Sequence, residues 1–211
     1  MQNYNCYSAG PGLFPRDLPK EGRRESWDES EARVRALNST IARVPEFTVI
    51  TPTNTDLASW PQDKQPRVCL RKDLWLAANC DITFADVTPF GGREPDAGTT
   101  VEAVTCALAG GLLVLWADPL TTFKEKYADA DVHPDSFLDT HYNLMLEQLY
   151  YWSWETQFGL AHPVFGSLEE AAIETGAYIR KYGLRRVSLL DKVIADTDAP
   201  DMTKAVRALL G

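Results

Sequence analysis

An α/β fold built on a largely parallel, doubly wound five-stranded sheet is what this sequence predicts, and three observations predict it. Short apolar segments alternate with stretches of helical period along most of the 211 residues. Residues 112–116, Leu-Leu-Val-Leu-Trp, are apolar without alternation, as a strand covered on both faces requires. Loops rich in glycine and proline follow the first and third predicted strands, where an open α/β sheet places its ligand crevice.

The elements follow in order. Tyr4 to Ala9 reads as the first strand, stopped by Gly10-Pro11-Gly12. Residues 15–25 are polar with two prolines and read as an exposed loop. Ser26 and Glu29 have capping-box spacing ahead of a helix whose apolar residues are Val34, Leu37, Ile41 and Val44. Phe47 to Ile50 is the second strand, and a loop rich in Thr, Asn, Asp and Pro runs on to Pro66. Val68, Leu74, Trp75 and Ala78 mark the apolar side of the second helix, and Asp81 to Val87 is the third strand. Thr100 to Ala109 is the third helix, with Gly110-Gly111 as its stop. Leu112 to Trp116 is the fourth strand.

Residues 118–140 read as a long functional loop or partly helical lid, Tyr142 to Trp152 as a helix, and His162 to Phe165 as a short fifth strand. Ser167 caps a last long helix running to Tyr182 with Gly183 behind it, and 184–211 reads as one or two small helices. The expected organisation is one α/β domain over 1–183 with a helical extension, 184–211, packed on it. Right-handed crossovers give the flavodoxin-like strand order 2-1-3-4-5, which brings the loops after strands one and three together.

Composition narrows the function. A formal charge of −9 repels phosphate polymers, so a nucleic-acid strand is a poor partner and a small neutral ligand is not disfavoured. No apolar run reaches the length of a membrane span, and the N-terminus has no basic-then-apolar leader, so a cytoplasmic location is expected. Cys6, Cys69, Cys80 and Cys106 stand singly within apolar segments and read as buried free thiols. His133, His141 and His162 lack metal-ligand spacing, and no glycine-rich phosphate motif occurs, so neither metal nor cofactor is expected.

The stretch 88–103, Thr-Pro-Phe-Gly-Gly-Arg-Glu-Pro-Asp-Ala-Gly-Thr-Thr-Val-Glu-Ala, sets Glu94, Asp96 and Glu102 at one loop-to-helix junction. Glu102 lies three residues after Thr99, so it serves equally as a capping-box partner or as a carboxylate nucleophile kept ionised by the helix end. Glu94 and Asp96 on their own suit a solvated loop. Asp86 ends an otherwise apolar strand, where a buried charge either caps the next loop or faces a ligand. Tyr7, inside the first strand, reads as a core tyrosine.

Three blocks carry a resemblance to the nucleoside 2-deoxyribosyltransferase family: Tyr-Ser-Ala-Gly-Pro-Gly-Leu-Phe at 7–14, the block at 85–103, and Tyr-Asn-Leu-Met-Leu-Glu at 142–147. They occur in the family's order across residues 4–182. The resemblance implies transfer of 2-deoxyribose between nucleobases through a covalent deoxyribosyl-glutamate. It implies Glu102 as nucleophile, Asp86 as the aspartate at the base, Asp96 on the sugar hydroxyls and Tyr7 orienting the nucleophile. It further implies Gly10, Phe14 and Gly98 in substrate binding, with Asn143 and Met145 entering the site of a neighbouring subunit. The implied partners are a 2′-deoxyribonucleoside, a free nucleobase and further copies of the same chain. Two other activities fit the pattern: a deoxynucleoside 5′-monophosphate N-glycosidase and a non-catalytic nucleotide-sensing module. Gly91-Gly92-Arg93, the residues at 15–25 and the tail depart from the family pattern.

Overall fold

Cys6, Ile82, Phe84 and Leu112–Leu115 are wholly buried because four strands pair side by side in parallel. The computed structural model describes residues 2–11, 17–18, 23–50, 61–90, 92–127, 141 and 144–190. In chain order the elements are β1 (Tyr4–Ala9), β2 (Asp17–Leu18), β3 (Arg23–Arg24), α1 (Trp27–Ile41), β4 (Phe47–Ile50) and α2 (Gln65–Asn79). They continue with β5 (Ile82–Asp86), α3 (Ala97–Ala109), β6 (Leu112–Trp116), α4 (Phe123–Lys126), α5 (Leu144–Phe158) and α6 (Leu168–Tyr182). The main sheet has the order β4-β1-β5-β6, and Tyr7 of β1 stands between Ile50 and Thr83 in its register. Strands joined by crossover helices in this order form a flavodoxin-like sheet with β1 and β5 at its centre.

Among the described residues the main sheet has four strands where five are expected. The segment predicted as the fifth makes one parallel bridge, Phe165 to Trp116, with Phe165 N–H donating to Leu115 O at 3.1 Å and Ala117 N–H to Phe165 O at 3.0 Å. Pro163 has no N–H to extend that ladder. Below the bridge, side chains of α5 take the place of a strand. Leu113 N–H donates to Ser153 Oγ, and Trp154 Nε1 donates to Leu113 O, both at 3.0 Å. The edge of β6 is therefore satisfied and covered without further pairing.

Helix termini follow the sequence closely. Ser26 and Glu29 form the reciprocal capping box of α1, and Ser167 accepts from Glu170 N at the start of α6. Residues of the predicted 15–25 loop form a two-residue antiparallel ladder, Asp17 with Arg24 and Leu18 with Arg23. Arg23 then reaches Glu29 through two bonds of 2.8 and 2.9 Å. Helix α2 is turned from the expected face: Trp75 is 64% exposed, whereas Leu76 and Ala77 are buried. The inward stripe runs through Cys69, Asp73, Leu76, Ala77 and Cys80, where small residues let the helix sit close to the sheet. The predicted helix at 142–152 is α5, which continues to Phe158.

All four cysteines are free; Cys6, Cys80 and Cys106 are buried and Cys69 is half-buried. No described helix is long and apolar enough to cross a membrane. Residues 184–188, expected to be helical, run as an irregular strap across the ends of α2 and α3, and 191–211 lie outside the described residues.

Candidate active site

The three carboxylates of the loop before α3 go three different ways. Glu94 turns outward and accepts from Tyr127 Oη at 2.6 Å, and Arg93 lies over the same ring at 5.0 Å. Asp96 is the N-cap of α3, accepting from Thr99 N at 2.9 Å and from Thr99 Oγ1 at 3.2 Å. A Cβ at Gly98 would come within 2.9 Å of the Asp96 Oδ2, so a glycine there lets the cap fold over the helix. With Asp96 rather than Thr99 as the cap, Glu102 is a turn further in and is no capping-box partner.

Glu102 instead faces the sheet. Its carboxyl hydrogen-bonds the Tyr7 hydroxyl, and its Oε2 is buried with no hydrogen-bond partner among the described residues. Burial first, then the negative charge of Asp73 and a lesser effect from Asp96, push the Glu102 carboxyl up to about 8; Tyr7 and Lys72 pull the other way. Tyr7 is itself 2% exposed, and burial together with the Glu102 and Asp73 charges drives its hydroxyl far above the usual phenol range. It therefore stays protonated and acts as a fixed donor. Removing it in Tyr7→Phe is expected to move the Glu102 titration to still higher pH, by about one unit or more, as loss of a charge-assisted hydrogen bond requires. A pH series of carboxyl NMR shifts on labelled glutamate measures this.

Asp73 is the residue that the sequence reading missed. It lies on the inward stripe of α2, beside Lys72 at 3.4 Å, and its charge acts on both Glu102 and Tyr7. A carboxylate i+4 from Cys69 and i−3 from Leu76 on an apolar stripe is the signal that could have found it.

Asp86 stands elsewhere. It is 2% exposed and accepts from Thr88 N at 3.1 Å, which closes its own loop. It lines a small recess with Gly10, Arg33 and Asn38 beyond the carboxyl ends of β1 and β5. A Cβ at Gly10 would meet the Asp86 Cβ at 3.3 Å, so the two strand ends approach closely there. The structure thus brings Tyr7, Asp96 and Glu102 into one electrostatic group, adds Asp73, and places Asp86 and Gly10 beside each other in the neighbouring recess. Phe14 and Asn143 lie outside the described residues.

Met145, in the first turn of α5, is 76% exposed. That turn is anchored from behind by buried Glu147, which accepts from His141 N at 2.9 Å and from the Tyr151 hydroxyl. Lys126 Nζ donates to His141 O, fixing the same residue from the other side. A cavity of about 640 Å³ lies between α3 and α5, lined by Thr100, Val101, Phe123, Tyr127 and Leu146 but not by Glu102. Among the described residues no group of His, Cys, Asp and Glu is arranged to hold a metal ion.

The fold and this group of carboxylates together define a flavodoxin-like α/β protein with a buried glutamate oxygen between α3 and its central sheet. No protein-family model matches the sequence, and no curated relative does at a significant level. Among solved structures, the chain is similar to a 2-deoxyribosyltransferase from Leishmania mexicana, at 22% identity and a TM-score of 0.56, over 82% of this chain and 97% of that one. A CMP N-glycosidase from Clostridium botulinum matches at 15% identity with a TM-score of 0.42, over 82% and 98% of the two chains, a superposition too loose to carry weight. The first of these shows the fold that the two chains share.

Proposed function

We propose that this protein transfers 2-deoxyribose between nucleobases, with Glu102 as the nucleophile. The observation that carries the reading is the Glu102 Oε2, buried and left without a hydrogen-bond partner among the described residues while Tyr7 holds the same carboxyl in place. An acceptor oxygen that is desolvated and uncommitted is costly to keep for structure alone, and it suits attack on an electrophilic carbon.

In the first half-reaction Oε2 bonds to C1′ of a deoxyribonucleoside as the C1′–N bond breaks. The bonding pair leaves on the base nitrogen, which takes a proton. In the second half a nitrogen of another base bonds to C1′ and gives up its proton, balancing the one taken in the first half, while the ester C–O bond breaks and the carboxylate is regenerated. Two inversions retain configuration, as in retaining glycosidases with their paired carboxyls. Asp73, whose charge raises Glu102 more than any other group's, tunes the ionisation of the nucleophile. Asp86, which the resemblance implies for the proton on the base, accepts from its loop amide through one oxygen and lines the recess assigned to the base. Asp96 supports the site by capping α3 and adds to the charge around Glu102.

The nucleophile must be ionised, so the pH dependence follows from its position. A carboxyl titrating at about 8 is only about one-tenth ionised at pH 7, and kcat/KM of the free enzyme rises roughly tenfold from pH 7 to its alkaline plateau. The likeness to the Leishmania fold supports a nucleoside as substrate. Thymidine incubated with adenine is expected to yield thymine and deoxyadenosine, read by chromatography. Release of free sugar with no new nucleoside makes the protein an N-glycosidase instead, and no turnover of either kind defeats the proposal.

We also infer that the working unit is a homo-oligomer in which Met145 and Asn143 reach a neighbouring site, a reading supported by the exposure of Met145 on an anchored helix turn. Subunits carrying Glu102→Gln or Asn143→Ala are then each inactive alone. Mixed and allowed to exchange, they regain about a quarter of the normal rate, because one of the two sites in each hybrid pair is intact. A mixture that stays inactive after confirmed exchange removes the shared-site reading.

A further inference from the structure

The strap at 184–190 fastens two helix ends, and those helices carry the two carboxylates of the site. Both α2 and α3 run antiparallel to the strands, so their C-termini emerge at the same edge of the sheet. There the guanidinium of Arg186 donates to Asn79 O at 2.8 Å, to Cys80 O at 3.3 Å and to Ala78 O, all at the end of α2. It donates also to Ala109 O, the last residue of α3, at 3.2 Å. Carbonyls at a helix C-terminus lack intrahelical donors and carry the negative end of the dipole, so one planar cation with five donors suits both ends at once.

The backbone of the strap repeats the attachment on α3. Val187 N–H donates to Gly110 O at 3.1 Å, and Ser188 Oγ donates to Leu108 O at 2.6 Å. Gly110 has φ of 92°, and a Cβ there would strike Ser188 N at 2.9 Å, so the strap lies directly on the helix stop. Leu189, 2% exposed, is driven into the core just beyond.

Asp73 lies six residues before the end of α2, and Glu102 seven before the end of α3. At the rise of an α-helix both stand about 10 Å from the Arg186 clamp. We infer that Arg186 is a positioning residue, which sets the axial register of α2 against α3 and so holds Asp73 beside Glu102. This rests on the reading of those two carboxylates as a working pair, and its test does not require turnover. The charge of Asp73 is the largest single electrostatic influence raising Glu102, so the titration of Glu102 reports the register directly.

In Arg186→Ala the Glu102 titration, followed by NMR on carboxyl-labelled glutamate, is expected to fall from about 8 by about a unit, since a carboxylate–carboxylate interaction weakens steeply with separation. Arg186→Lys, which keeps the charge but not the fork, gives a smaller fall in the same direction. In an Asp73→Asn background, Arg186→Ala gives no further fall, because the group it positions has lost its charge. In the exchange assay the rise of kcat/KM with pH moves down by the same amount. Should Arg186→Ala not fold, the Lys variant and its Asp73→Asn double carry the same comparison. A folded variant whose Glu102 titrates as before, or a fall that persists undiminished in the Asp73→Asn background, overturns the inference. Failure of exchange in the unaltered protein, with the titration coupling intact, defeats the transferase reading and leaves the clamp standing.

Discussion

Glu102→Gln is expected to abolish the proposed deoxyribosyl exchange and to stabilise the fold at alkaline pH. The loss is expected to be at least about 10⁴-fold, because an amide cannot supply the oxygen nucleophile and nothing else in the group replaces it. The stability gain follows from the same burial. A carboxyl whose folded value stands at about 8, against about 4.5 in a free chain, binds more protons folded than unfolded over that interval. Its favourable protonated state is fully present below the unfolded value, and stability is lost as pH rises through the folded one. The shift corresponds to an upper bound on the order of 5 kcal/mol by pH 9, and glutamine, neutral throughout, avoids it. Urea unfolding at pH 5 and pH 9 checks both halves: the parent weakens markedly between the two, and the variant is expected to change much less. A parent with equal stability at both pH values contradicts the raised titration of Glu102.

Trp154→Ala is expected to cost about 4 kcal/mol or more, a large share of the stability of an ordinary domain. Trp154 is wholly buried among Tyr150, Phe158, His162, Phe165 and Tyr178, with ring centroids 4.6 to 6.1 Å away. Truncation leaves a large cavity, and it also strips Leu113 O of its only donor from α5, at the point where the sheet ends. Trp154→Phe separates the two costs, since it refills much of the space while leaving the carbonyl bare. Thermal melts of the three proteins are expected to fall in the order parent, Phe, Ala. A Phe variant as stable as the parent means the edge bond contributes little and the sheet ends for want of a strand alone.

How far the site was legible depended on whether chemistry and periodicity pointed the same way. Tyr7, Asp96 and Glu102 were singled out by the resemblance of two short blocks, spacing alone having left Tyr7 a core residue, and their charges and hydroxyl act on one another in the fold. Asp73 was missed because α2 offers two stripes, and the larger apolar residues marked the wrong one; Trp75 faces out and Ala77 faces in. Asp86 drew attention as a buried charge at a strand end; it accepts from the amide two residues on and also lines the recess there. The cap of α3 shifted from Thr99 to Asp96 for a similar local reason, since either oxygen has the reach and only the path of the loop selects one.

What the sequence determined by itself is the order of the first four sheet strands and their helices and the caps of α1 and α6. Apolar period and capping chemistry are local, acting over a few residues and largely independent of the rest of the chain. Which face of α2 turns inward, the closing of the sheet at four strands by Ser153 and Trp154, and the tie of Arg186 to two helix ends were decided only in three dimensions. Each joins residues distant in the chain, and burial, not spacing, sets the free energy of such contacts.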